Sequence, residues 1–151
     1  MGTRLATLIT AFVVTLAVAG VATAGNGGRP LSTAMTGAQE APGPGDANAT
    51  GQANLRLNQG QGRVCFDISW ADVDGQVVAG HIHLAPPGEP GPIVVTLFTG
   101  SFAGTDAVSG CAQKVDRGLI KAIRKDPSAY YVNVHSQPNF PDGAVRGQLG
   151  K

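Results

Sequence analysis

The chain holds three histidines, and two of them sit one residue apart in Val77-Val78-Ala79-Gly80-His81-Ile82-His83-Leu84. This stretch reads as a buried β-strand. Side chains alternate across a strand, so His81 and His83 share one face, about 6 to 7 Å apart along the chain. The third histidine, His135, ends a second strand-like run, Tyr130-Tyr131-Val132-Asn133-Val134-His135. If the two runs are neighbours, three imidazoles converge in an open site of the kind that suits copper or catalytic zinc. By alternation Asn133 and Tyr131 then lie beside His135 and would orient the ligands from behind, with Arg146 as a further supporting group. The bland reading is that His81 and His83 are half-buried and bonded to backbone or to carboxylates such as Glu40 or Asp67.

Other chemistry finds little support in the residues. No G-x-S-x-G elbow and no phosphate-binding glycine loop occurs. Asp72 and Asp74 flank a turn and read as turn residues rather than an acid pair. Arg146 has two readings: a carboxylate binder, or a buried arginine that ties loops together through charge-assisted hydrogen bonds. Charged residues are 14% of the chain. The segment before residue 25 carries one of the basic residues, Arg4, so the remainder is charge-balanced. A bulk field that would attract nucleic acid or an anionic membrane is therefore excluded.

The elements that would hold the histidines are mostly strands. Leu31–Gly37 alternates weakly, and Ala38–Asp46 is a loop rich in Pro and Gly. Gly51–Asn58 and Arg63–Trp70 alternate cleanly around Gln59-Gly60-Gln61-Gly62, the mark of an antiparallel hairpin with one wet face. The histidine strand turns Val78, Gly80, Ile82 and Leu84 toward the core. Ala85–Pro92 is a stiff, proline-bearing loop. Ile93–Phe98 is nearly all apolar, as for a strand at the centre of a sandwich, and residues 99–110 read as a loop that delivers Cys111. Asp116 is an N-cap for a single helix, Arg117–Lys125, which Pro127 stops. Tyr130–His135 then pairs with Ala144–Leu149 around an Asp142-Gly143 turn.

The chain is 151 residues long. Residues 1–24 have the composition of a secretory signal: Arg4, an apolar run from Leu5 to Val21, and an A-x-A site at Ala22-Thr23-Ala24. An uncleaved membrane anchor is the alternative. Residues 25–30 read as a linker, and 31–150 as one domain. With two cysteines in an exported chain, Cys65 and Cys111 are expected to form a disulfide, which would stabilise by roughly 4 kcal/mol.

Five segments in order carry a likeness: Thr36-Gly37-Ala38-Gln39-Glu40-Ala41-Pro42, Ala79–His83, Gly91–Val95, Tyr130–Ser136 and Gly143–Leu149. Together they resemble the CHRD domain, named after the repeats in chordin and found also in exported bacterial proteins. The resemblance implies an extracellular, mostly β domain and brings no activity. Chordin's growth-factor binding is assigned to its other modules, so no ligand residue carries over. A fold-level likeness to bacterial copper–zinc superoxide dismutase rests on the His-x-His strand, the cysteine pair and the late Arg146. Three histidines are too few for its bridged two-metal site, which leaves at most a single redox copper.

The expected fold is all-β: an antiparallel, Greek-key-like β-sandwich with one short helix. The expected function is that of a secreted or periplasmic, non-enzymatic binding or structural module for an extracellular ligand or protein. The alternative is a mononuclear copper or zinc protein built on His81, His83 and His135.

Overall fold

The structure is a computed structural model that describes residues 28–150. The expected signal segment 1–24 lies outside the described residues. Of the expected linker 25–30, Arg29 and Pro30 belong to the first strand.

Eight strands follow in chain order: β1 (Arg29–Thr36), β2 (Thr50–Asn58), β3 (Arg63–Ala71), β4 (Gln76–Leu84), β5 (Ile93–Thr99), β6 (Ala107–Ala112), β7 (Tyr130–Gln137) and β8 (Phe140–Gln148). One helix, α1 (Arg117–Lys125), lies between β6 and β7. The strands form a single antiparallel sheet in the order β5-β4-β7-β8-β1-β2-β3-β6. The all-β, one-helix expectation therefore holds. Its two layers are the two halves of one sheet curled until its end strands approach. Aromatic rings fill that approach: Phe98 of β5 lies 5.9 Å from Phe66 and 6.1 Å from Trp70, both on β3.

The curl follows from alternation. On β2 and β3, the inward residues Ala53, Leu55, Leu57, Val64, Ile68 and Trp70 are all buried. They meet Val132 and Val134 of β7 and Val145 of β8 in one cluster with Leu149. The helix closes this core with Ile120 and Ile123, both fully buried. Its start is fixed as expected: the Asp116 carboxylate accepts from the Leu119 N–H at 2.8 Å. The disulfide is present, joining directly opposed residues of β3 and β6.

Five local expectations are corrected. Residues 107–112 form β6 rather than part of a loop, because β3 offers a free ladder and small side chains suffice to cover it. β5 stands at the end of the sheet order, not at a centre. Its apolar run is accommodated by two register slips against β4, while Ile93 is 51% exposed. On β4 the inward valine is Val77, not Val78. Val77 pairs with Ser136 and Ala79 with His135, so Val78 is an extra residue that resets the alternation. Leu84, expected inside, is 43% exposed at the strand's end. Finally, Asp142-Gly143 is not the hairpin turn. β7 and β8 turn between Gln137 and Phe140, and a register slip lifts Pro141 and Asp142 off the ladder within β8.

Val134 is fully buried opposite Val145. Val134→Asp places an unpaired charge there and is expected to cost about 4 kcal/mol or more. Urea denaturation of the variant against the parent measures it, and equal midpoints would show that this face does not build the core.

Candidate metal centre

The outer face of the sheet carries the polar groups. Pairing sets His81 opposite Asn133, His83 opposite Tyr131, and Ala79 opposite His135 across β4 and β7. On the other side of β7, Asn133 faces Arg146 and Tyr131 faces Gln148. Outward positions of three adjacent strands thus form a grid of imidazole, amide, phenol and guanidinium. The extra Val78 matters here. It keeps His81 and His83 on the outer face while Val77 enters the core.

The three histidines come together as expected. One ring nitrogen from each lies within 4.8 Å of the other two. His81 Nδ1 is 3.0 Å from His135 Nε2. The far nitrogens of two rings are held by backbone. His83 Nδ1–H donates to the Gly91 carbonyl at 2.8 Å, and His135 Nδ1–H donates to the Pro141 carbonyl at 2.9 Å. Each carbonyl fixes a tautomer with Nε2 unprotonated; His135 Nε2 faces His81 Nδ1 and Asn133 Oδ1, both at 3.0 Å. His83 Nε2 is buried and has no hydrogen-bond partner.

Electrostatics keep these rings neutral. Burial, then His135 and His83, pull His81 down to about 4. His83 is lowered mainly by burial, against the stabilising Gly91 carbonyl. His135 is lowered by burial too, against Pro141 and the Asp142 carboxylate. Neutral imidazoles with free lone pairs are the form that binds a metal ion.

Tyr131 stacks on His83 with ring centres 4.6 Å apart and planes 10° off parallel. Its hydroxyl accepts from the Gly91 N–H at 3.3 Å, so ring and carbonyl hold His83 together. Arg146 bonds to loop carbonyls rather than to the imidazole nitrogens. Its Cζ lies 3.5 Å over the Tyr131 ring, and its N–H groups donate to the carbonyls of Glu89 and Pro86 and to Gln148 Oε1. Of its two readings, the geometry is that of the loop tie: it clamps the proline-bearing loop that supplies Gly91.

Asp67 sits on β3, paired with Asn54 and Ser109 on another part of the sheet. Glu40 lies beside the centre, but on Asn133 rather than on the imidazoles. Burial pushes it up to about 7, opposed by Arg146, the Ala41 N–H and the Asn133 amide. Gly143 makes room for it: a Cβ there would lie 2.5 Å from Glu40 Oε1. A carboxylate in a loop with Pro and Gly on both sides carries no sequence signal for this placement. The Gly91 and Pro141 carbonyls carry none either.

A family model for the CHRD domain matches residues 31–149. The chain belongs to the CHRD domain family. No curated protein and no solved structure matches it significantly. Family membership and the disulfide are consistent with an extracellular or periplasmic location. Among the described residues no helix is long and apolar enough to cross a membrane.

The shifted groups predict opposing pH effects on stability. The fold favours neutral His81, so stability is lost as pH falls from 6.5 toward 4, where only the unfolded chain takes the proton. The fold also favours protonated Glu40, so stability is lost as pH rises from 4.5 toward 7. His81→Gln should therefore gain on the parent as pH falls through the first window. Glu40→Gln should gain as pH rises through the second. Denaturation midpoints of both variants between pH 4 and 7.5 check the signs, and parallel curves would contradict them.

Proposed function

We propose that this CHRD domain is an exported module that binds one transition-metal ion, copper or zinc, at His81, His83 and His135. The observation that carries the reading is His83 Nε2, a buried lone pair without a partner whose tautomer is fixed from behind by the Gly91 carbonyl. Leaving a buried acceptor unmade costs about 1–3 kcal/mol. A cation between the three rings converts that cost into bonding at about 2.0–2.1 Å per imidazole. The rings need only small adjustments to reach a common point.

The leader-like composition of residues 1–24 and the disulfide support export. The reading is one of binding rather than turnover. Arg146 is the residue that would steer a small anion to a redox copper, yet it is 1% exposed and its N–H groups are taken by carbonyls and Gln148. The partner of the module is an extracellular protein or ligand, with the metal centre as a structural or storage site on its outer face.

Calorimetry with zinc and with copper at pH 7 should show one site per chain. A ligand at a hundred times its Kd should stabilise the fold by about 2.7 kcal/mol. His83→Ala should abolish binding and leave the fold intact, because the ring lies on the outer face. Binding should survive to pH 6 and fail as pH falls toward 4, where protons claim His81. No heat and no thermal shift with either metal would end this reading.

A further inference from the structure

Among the residues around the three imidazoles, Asn133 makes a contact that hydrogen bonding does not explain. It is 1% exposed. Its Oδ1 lies 3.0 Å from His135 Nε2. Its other end is turned to the Glu40 carboxyl, which the amide helps to hold toward its ionised form. The amide therefore turns its oxygen, not its nitrogen, to the imidazoles.

That oxygen meets no proton there. His135 already donates from Nδ1 to Pro141, and His83 from Nδ1 to Gly91. In neutral rings both Nε2 atoms are acceptors, and an amide oxygen is an acceptor only. Lone pairs then face one another at 3.0 Å inside a buried cluster, an arrangement that repels unless something positive lies between them. A proton on His135 Nε2 would settle that one contact and still leave His83 Nε2 buried without a partner. A metal cation satisfies every lone pair at once.

Resting on the metal-binding reading above, we propose that Asn133 Oδ1 is a fourth ligand, completing a set of three imidazole nitrogens and one amide oxygen. Four ligands on adjacent strands fit a tetrahedral or flattened site. The hard oxygen selects divalent zinc or Cu2+ over Cu+, which prefers soft sulfur and nitrogen. Glu40 gains a role in the same step. By accepting from Nδ2 it orients the amide and makes the oxygen a better donor, as carboxylates do for ligating histidines.

The test is a chelator-competition titration of zinc, with Cu2+ electron paramagnetic resonance, on wild type, Asn133→Ala, Asn133→Asp and His83→Ala. A ligating amide predicts that Asn133→Ala binds about 10- to 100-fold more weakly and changes the Cu2+ spectrum. Asn133→Asp, nearly isosteric and anionic, should bind more tightly than wild type with its own spectrum. It also serves as the readout should the alanine variant fail to fold. An Asn133 that merely orients His135 would weaken binding on either substitution and leave the spectrum unchanged, and that result overturns the proposal. So do wild-type affinity and spectrum in both variants, with His83→Ala still inactive, which leaves the three-histidine site standing. No binding by wild type refutes the metal reading itself, and the fourth ligand with it.

Discussion

The outer face of this domain depends on one buried guanidinium. Arg146 is 1% exposed, yet it sits on the side of the sheet away from the apolar core. A charge so placed is costly unless it is fully bonded. Here the carbonyls of Pro86 and Glu89 accept from it, Gln148 joins them, and the Tyr131 ring lies under its flat face. Because β7 lies between β4 and β8, Tyr131 is held between Arg146 on one side and His83 on the other. The loop that Arg146 clamps is the loop whose Gly91 carbonyl fixes the His83 tautomer. Guanidinium, phenol, imidazole and loop carbonyl thus form one connected unit. Arginine is needed for it, since a lysine would offer no flat face and no fork of donors.

The second constraint is parity. A sheet sends alternate residues to opposite faces, so a chain that needs valines inside and histidines outside must keep count. This one keeps count by departing from the ladder. The extra Val78, the slips of β5 against β4, and the slip of β8 past β7 all fall within a few residues of an imidazole. The last of these sets the Pro141 carbonyl against His135. Irregularities that would weaken a purely structural sheet here aim side chains and carbonyls at one point.

Much of this was legible in the residues. The hairpin of β2 and β3, the capped helix, the cysteine pair and the shared face of His81 and His83 follow from alternation, capping and composition, whereas the approach of His135 hung on β4 pairing with β7, which the residues left open. What escaped was anything that depends on bulges or on backbone groups. Val78 and Val77 look alike to a period-two pattern, and only the pairing with Ser136 and His135 shows which is extra. The strand at 107–112 has too few large side chains to announce itself, because its partner β3 supplies the apolar surface. Asp142-Gly143 has turn chemistry, but the slip within β8 uses it without reversing the chain. Asn133 could be placed beside His135 by counting. Which end of its amide faces the rings could not, because Glu40 decides that from a loop nearly a hundred residues away.

The distance along the chain between the histidines also shapes when the site comes into being. His81 and His83 are neighbours in any conformation, whereas His135 lies 54 residues beyond His81. A metal ion meeting the unfolded chain finds a two-nitrogen clip and a third ring whose capture demands closing a long loop. Pairing β4 with β7 removes that entropic burden, and it is a slow, non-local step of the kind that limits the folding of sheet proteins. An ion bound at these histidines could not template this fold as one does in a small zinc finger, where ligands are close in sequence. On the metal-binding reading proposed above, loading would follow assembly, and a filled centre would mark a chain whose sheet has already closed.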